Sequence, residues 1–303
     1  MHQAVVSEWG QTPRYTEVPD LAAPTPQEVR IKVIAAGVHR VVRSRAAGKH
    51  YSSGSLPHVP GVDGIGMTED GEMVYFVSFA AGSLSEYVNL PKHAIKPLPA
   101  GTDPIQAAGM TNPALSSWMA FHSRTTNLPV DFTVLIVGAT SASGRVACSI
   151  ARSLGAKRVI GVARNKAALE TIGLDETIVI ADQIDHTDFS SVGDVDIILD
   201  YVYGPVTAHL FQSLASKRPV QYVHIGSLSG QDIMVPGSIL RSKNLTIRGS
   251  GSGAWSMQDA SKNVEGLLKA VQAIPEQPIR VAKLEDVEQV WNEAMTDRLV
   301  FTM

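Results

Sequence analysis

The chain carries one cysteine, Cys148, in 303 residues. A lone thiol forms neither an internal disulfide nor a multi-cysteine zinc site, which excludes secreted disulfide scaffolds and zinc-ribbon architectures. Cys148 falls in an apolar helical pattern and reads as a small core residue. No apolar run approaches the roughly 20 residues that cross a bilayer. The N-terminus, Met1-His2-Gln3-Ala4-Val5-Val6-Ser7-Glu8, has no basic region ahead of a long apolar stretch, so the expectation is a cytoplasmic protein with no membrane partner. Lys/Arg-rich runs are missing as well. With a formal charge of -3 there is no electrostatic footprint for nucleic acid. Internal repeats, low-complexity tracts and a Gly-x-Ser-x-Gly nucleophile elbow are all lacking, and the scattered Ser, His and Asp residues form no nucleophile arrangement. A small-molecule partner is what these absences leave.

What is present is ordinary globular composition, 44% hydrophobic and 18% charged, at a length that favours two domains with separate cores. From Met1 to about Pro99 short β-like runs alternate with Gly/Pro turns, among them Glu28 to Ala36 and Met73 to Val77, a texture that predicts an irregular β-barrel. After Asn112-Pro113 a helical stretch from Ser116 to Thr125 leads into alternating strands and helices. The strands are expected at Thr133 to Val137, Arg158 to Ala163, Thr177 to Ala181, Asp196 to Tyr201, Val220 to Ile225 and Leu245 to Arg248. Six such runs predict an α/β fold with a doubly wound parallel sheet over 112–276, and the domain boundary falls near residue 111. A helical pattern follows from Asn263 to Ile274. The pattern continues through Val281 to Trp291, where Leu284 and Asp286 look like a helix entry.

The apolar strand Thr133-Val134-Leu135-Ile136-Val137 runs into Gly138-Ala139-Thr140-Ser141-Ala142-Ser143-Gly144 and then into a helix with apolar face Val146, Ala147, Ile150, Ala151 and Leu154. Small side chains let a pyrophosphate approach backbone N–H groups at a helix N-terminus, where the helix dipole favours negative charge. Gly138 permits the tight turn, and Gly144 lets helix and strand pack closely. The spacing is Gly-x-x-Ser-x-x-Gly, and the surrounding strand, turn, helix and second strand are what give it meaning. About 20 residues on, at the end of the second strand, stand Arg164, Asn165 and Lys166 with no acidic residue. A guanidinium there suits a ribose 2′-phosphate, so the cofactor expected is NADPH.

The order β-barrel, dinucleotide-binding sheet, short C-terminal return resembles the medium-chain dehydrogenase/reductase superfamily over essentially the whole chain, nearest to its zinc-independent quinone oxidoreductase branch. The matching segments are Val33 to His39, Val59 to Gly66, the Gly138 to Gly144 turn and Leu284 to Glu288. The resemblance implies a GroES-like catalytic domain, 1–111 with 277–303, joined to a Rossmann domain, 112–276. It also implies no metal, because the positions of the family's zinc ligands read His39 and Gly61-Val62-Asp63. Tyr51, in Gly48-Lys49-His50-Tyr51, matches a tyrosine that lines the nicotinamide cleft in related enzymes. Ile225-Gly226-Ser227 and Gly249-Ser250-Gly251 match strand-end segments that approach the nicotinamide. A homodimer through the strand from Leu245 to Arg248 is the family expectation. This chain keeps neither the Asn nor the Asp that quinone oxidoreductases usually carry where His39-Arg40-Val41-Val42 stands.

Without zinc to polarise a carbonyl, the chemistry expected is hydride delivery from NADPH to an electrophilic acceptor, a quinone or an α,β-unsaturated carbonyl. Tyr51 could hydrogen-bond the oxygen where charge develops, and His39 or His50 could supply a proton near neutral pH. The bland alternatives are a loop aromatic for Tyr51, a hydrogen-bonded core histidine for His39, an exposed loop residue for His50 and solvent as proton source. Asn112, with Ser116 and Ser117, reads either as lining the cofactor site or as capping a helix. An enoyl-thioester or 2-alkenal reductase and a non-catalytic NADPH-binding protein, structural or regulatory, remain open beside the quinone reductase.

Overall fold

The computed structural model describes residues 1–251, 253–293 and 297–303. They divide into two compact units, Met1–Asn112 with Val264–Met303 and Pro113–Asn263. The first unit contains β1 (His2–Val5), β2 (Arg14–Glu17), β3 (Glu28–Gly37), α1 (Arg40–Ala46), β4 (Asp63–Thr68), β5 (Met73–Val77), β6 (Tyr87–Pro91) and β7 (Ile95–Pro97). In β3 the alternation Ile31 buried, Lys32 exposed, Val33 buried is that of a strand covered on one face. β3 is the hub of the unit. It pairs antiparallel with β4, β6 and the final strand, and β5 and β7 extend the sheet beyond β4.

Helix α2 (Pro104–Arg124) starts 12 residues earlier than the sequence suggests and runs straight through Pro113. The true start signal is Asp103-Pro104. The Asp103 carboxylate accepts from the amides of Ile105 and Gln106 at 2.7 and 2.8 Å, and proline at the first helical position sacrifices no intrahelical bond. Asn112 therefore sits inside a helix and caps nothing.

The second unit holds β8 (Thr133–Val137), α3 (Ala142–Ser153), β9 (Arg158–Ala163), α4 (Lys166–Glu170), β10 (Glu176–Val179), β11 (Ile197–Asp200), α5 (Pro205–Ser213), β12 (Val220–His224), α6 (Gly237–Ser242) and β13 (Leu245–Gly249). All six strands are parallel, in the order β10-β9-β8-β11-β12-β13. Every residue of β8 is buried, as a strand covered on both faces requires. The chain winds outward from β8 through β9 to β10, then from β11 through β12 to β13. The topological switch point thus lies between β8 and β11. This is the expected doubly wound sheet.

α7 (Met257–Gln272) spans the second boundary, which falls at 263/264 where 276/277 was expected. The reason is packing: Val264 and Leu268 are buried against Ala107, Ala108 and Val300 of the first unit. β14 (Ile279–Lys283) is a strand where the sequence showed only the approach to a helix. A 3-10 turn at Leu284–Asp286 and α8 (Val287–Val290) then supply the helix entry. β15 (Arg298–Thr302) pairs with both β14 and β3.

Candidate cofactor site

The turn between β8 and α3 is shaped by two glycines with different tasks. Gly138 has φ +91°, a region closed to most side chains, and a Cβ there would lie 2.9 Å from Val202. At Gly144 a Cβ would stand 2.2 Å from the Gly138 carbonyl oxygen and 2.8 Å from Ala139 Cα, so only glycine lets helix and turn close. Ser141 caps α3: its hydroxyl accepts from the Gly144 amide at 3.0 Å and donates to the Gly138 carbonyl at 2.8 Å. The amides of Ala142 and Ser143, in the first turn, are those that helix geometry leaves without an intrahelical acceptor. Ala139 is buried under the turn, Thr140 and Ser143 are part-exposed, and Ala142 is exposed. The cradle fits a pyrophosphate by its own geometry.

Arg164, Asn165 and Lys166 are exposed just beyond β9, the strand beside β8. Asn165 is committed in part, its side chain accepting from the Ala168 amide at 3.0 Å to cap α4. Arg164 and Lys166 carry their charges into solvent at the carboxyl edge of the sheet.

On the other side of the switch point the strand ends are tied together by Asp200, fully buried at the end of β11. One carboxylate oxygen accepts from the amides of Val202 and Tyr203 at 2.7 and 2.9 Å. The other accepts from the Tyr222 hydroxyl at 2.7 Å and from Thr207. Burial and the facing Asp200 charge push the Tyr222 phenol far above its ordinary range. The Asp200 carbonyl holds the amides of Ile225 and Gly226 at 2.8 and 3.1 Å. Gly226 has its reason within the protein, since a Cβ there would meet the Tyr201 carbonyl at 2.9 Å. Around Gly249 and Gly251, by contrast, an added Cβ finds open space. Ser227 bonds the His224 ring at 3.0 Å. Ser116 lies 3.4 Å from the Tyr201 hydroxyl, and Asn112 is half-buried in α2.

In the first unit, His39 is 2% exposed and its Nε2 lies 3.1 Å from Asp63. Tyr75 donates to the second Asp63 oxygen at 2.9 Å. Burial lowers the His39 pKa against the opposing pull of Asp63, and it lowers the Arg298 guanidinium to about 10. The imidazole is therefore held neutral inside the barrel, the hydrogen-bonded core histidine among the two expected readings. Tyr51 is 75% exposed on the loop after α1, its ring 4.2 Å from that of His50. His50 is itself half-buried and bonds Ser52 at 2.8 Å. The structure does not bring Tyr51 and His39 together into one arrangement.

Sequence reading missed Asp200, Tyr203 and His224. The signal available was an acidic residue closing the apolar run Ile197-Ile198-Leu199 ahead of Gly204-Pro205, where a buried carboxylate must find several donors.

Among the described residues no group of three or more His, Cys, Asp or Glu side chains is placed to hold a metal ion, and no helix is long and apolar enough to cross a membrane.

Sheet order, glycine turn and capped helix together define a dinucleotide-binding protein of two units. No family model matches the chain. The probable NADPH-dependent quinone reductase tdiC of Emericella nidulans is 37% identical over 347 aligned residues, covering 98% of each chain. The quinone oxidoreductase of Homo sapiens is 32% identical over 157 residues, 48% of this chain and 47% of its own. A mycobacterial quinone oxidoreductase of known structure superposes with a TM-score of 0.83 at 20% identity over the whole of both chains, a likeness of fold. The chain belongs to the medium-chain dehydrogenase/reductase superfamily, in its quinone-reductase-like branch.

Proposed function

We propose that the protein is an NADPH-dependent oxidoreductase that transfers hydride to a quinone or an α,β-unsaturated carbonyl without zinc. The observation that carries this reading is the glycine cradle at the N-terminus of α3, with Arg164 and Lys166 exposed at the end of the neighbouring strand. The name of its Emericella relative, a probable NADPH-dependent quinone reductase, supports the same cofactor and acceptor. When bound, NADPH supplies the hydride. The chain's own part is to fix the pyrophosphate at the amides of Ala142 and Ser143, to receive the 2′-phosphate at Arg164, and to present the carboxyl ends of β11 and β12 to the far half of the dinucleotide. Tyr51, on an exposed loop, is the proposed donor to the acceptor oxygen, with water as proton source, because His39 is sealed in the barrel.

A buried single thiol, raised by burial to about 12 and thus inert, fits a reducing cytoplasm. A homodimer through the edge strand β13 is proposed on its open ladder and the 44% exposed Ile247.

The test is NADPH oxidation with a panel of quinones, enones and an enoyl thioester. Turnover with quinones or enones is expected. Tight NADPH binding with no turnover on any acceptor would favour a binding protein, and turnover confined to the thioester would favour an enoyl reductase. Replacing Arg164 by Ala should weaken NADPH about tenfold while leaving NADH unchanged, the loss of one exposed charge-assisted contact. Equal losses for both cofactors would remove the 2′-phosphate assignment.

A further inference from the structure

Among the described residues three non-glycine residues have positive φ: Asn127, Asp131 and Tyr203. Asn and Asp adopt this region readily because their short side chains bond the local backbone, but a tyrosine at φ +57° is strained. Such strain persists only where the surroundings over-determine it. Here they do, for the fully buried Asp200 carboxylate takes the Tyr203 amide at 2.9 Å and that of Val202 beside it. The half-buried Tyr203 ring lies 4.4 Å from the ring of His224, tilted by 58°. His224 is fixed in turn by Ser227 at 3.0 Å. No hydrogen bond engages the Tyr203 hydroxyl among the described residues.

The position of this pair follows from the strand order. With the 2′-phosphate end at β9 and the pyrophosphate at the β8 turn, a dinucleotide laid along the carboxyl edge continues past the switch point onto β11 and β12. Tyr203 follows β11, and His224 is the last residue of β12. We infer that Tyr203, backed by His224, forms an aromatic wall of the nicotinamide subsite and positions the nicotinamide ring, its strained backbone retained to hold the tyrosine ring there. The inference rests on the NADPH reading above.

Tyr203→Gly tests it, because glycine accepts φ +57° without strain and removes the ring together with its packing on the sheet core. NADPH and adenosine 2′,5′-bisphosphate are titrated against wild type, Tyr203→Gly and Tyr203→Phe, with thermal midpoints measured alongside. The expected result is an NADPH Kd raised about tenfold in Tyr203→Gly, the fold-change of roughly 1.4 kcal/mol of aromatic contact, with the bisphosphate Kd unchanged; the midpoint, which balances relieved backbone strain against lost packing of the ring on the sheet core, shows that the variant is folded at the temperature of the titration. Tyr203→Phe, which keeps the ring, should stay within about twofold of wild type. Unchanged NADPH affinity in Tyr203→Gly would overturn the inference, as would equal losses for both ligands, which would place the effect in the fold of the turn. A wild type that binds neither ligand would sink the cofactor reading and this inference with it, whereas a wild type that binds both beside an unaffected variant sinks the inference alone.

Discussion

At Gly144 a single hydrogen occupies space that a methyl group cannot enter: the nearest obstacle is backbone, at 2.2 Å, and backbone cannot rotate aside. Gly144→Ala should therefore destabilise the second unit by about 2 kcal/mol and abolish NADPH binding, since either the turn or the helix must move. Unfolding by urea with and without NADPH measures both effects. His39 offers a second residue-scale test. Its folded pKa lies below its ordinary value, so the unfolded chain binds the extra proton. Stability is then full above the ordinary histidine value of about 6.5 and is lost as pH falls below it, by up to about 1.4 kcal/mol per pH unit for one such group. Thermal midpoints across this range should fall towards acid, and His39→Gln should flatten the slope. An unaltered slope would assign the effect to His50 and His58, which burial also lowers. The glycines were legible in the sequence because backbone constraint acts locally. The partners of His39 were not, since Asp63 and Tyr75 lie far along the chain and only β4 and β5, paired side by side, bring them to it.

Among the elements, α3 depends on its cap. The Ser141 hydroxyl serves the Gly144 amide and the Gly138 carbonyl at once. Ser141→Ala should cost about 1 kcal/mol, a fall of a few degrees in the thermal midpoint. Ser141→Asp should restore the cap yet weaken NADPH, because a carboxylate would face the pyrophosphate. Equal affinity in the aspartate variant would argue against phosphate at this helix end. β8 and β9 appear where their unbroken apolar runs placed them, to the residue, because burial on both faces leaves a plain signature. α2 departs from its expected bounds for the opposite reason. Pro113 looked like a helix boundary, while the helix, packed through Ala107 and Ala108 into the first unit, tolerates the lost bond. Tertiary packing outweighs local propensity here, and the helix takes its start from the Asp103-Pro104 cap.

For the whole molecule, the order of barrel and parallel sheet could be read from texture alone, whereas the C-terminal return came only with the family resemblance. β14 and β15 are strands only because β3 offers an edge, a non-local fact. β15 lies between β14 and β3 and contributes Leu299, Val300 and Phe301, all buried. Deleting residues 298–303 removes three core side chains worth roughly 2 kcal/mol each, about the whole stability of a marginal domain, and strips β3 of a neighbour. The sheet of the second unit is complete in β8 to β13 without any contribution from the C-terminal strands. Hydrogen exchange on the truncated protein should thus show β3 and β4 amides exchanging freely while those of β8 and β11 stay protected. Protection retained in β3 would mean that the barrel holds without its last strand. Loss of protection in β8 as well would mean that the two units fold as one cooperative body, and that the C-terminal return carries the cofactor sheet along with the barrel it completes.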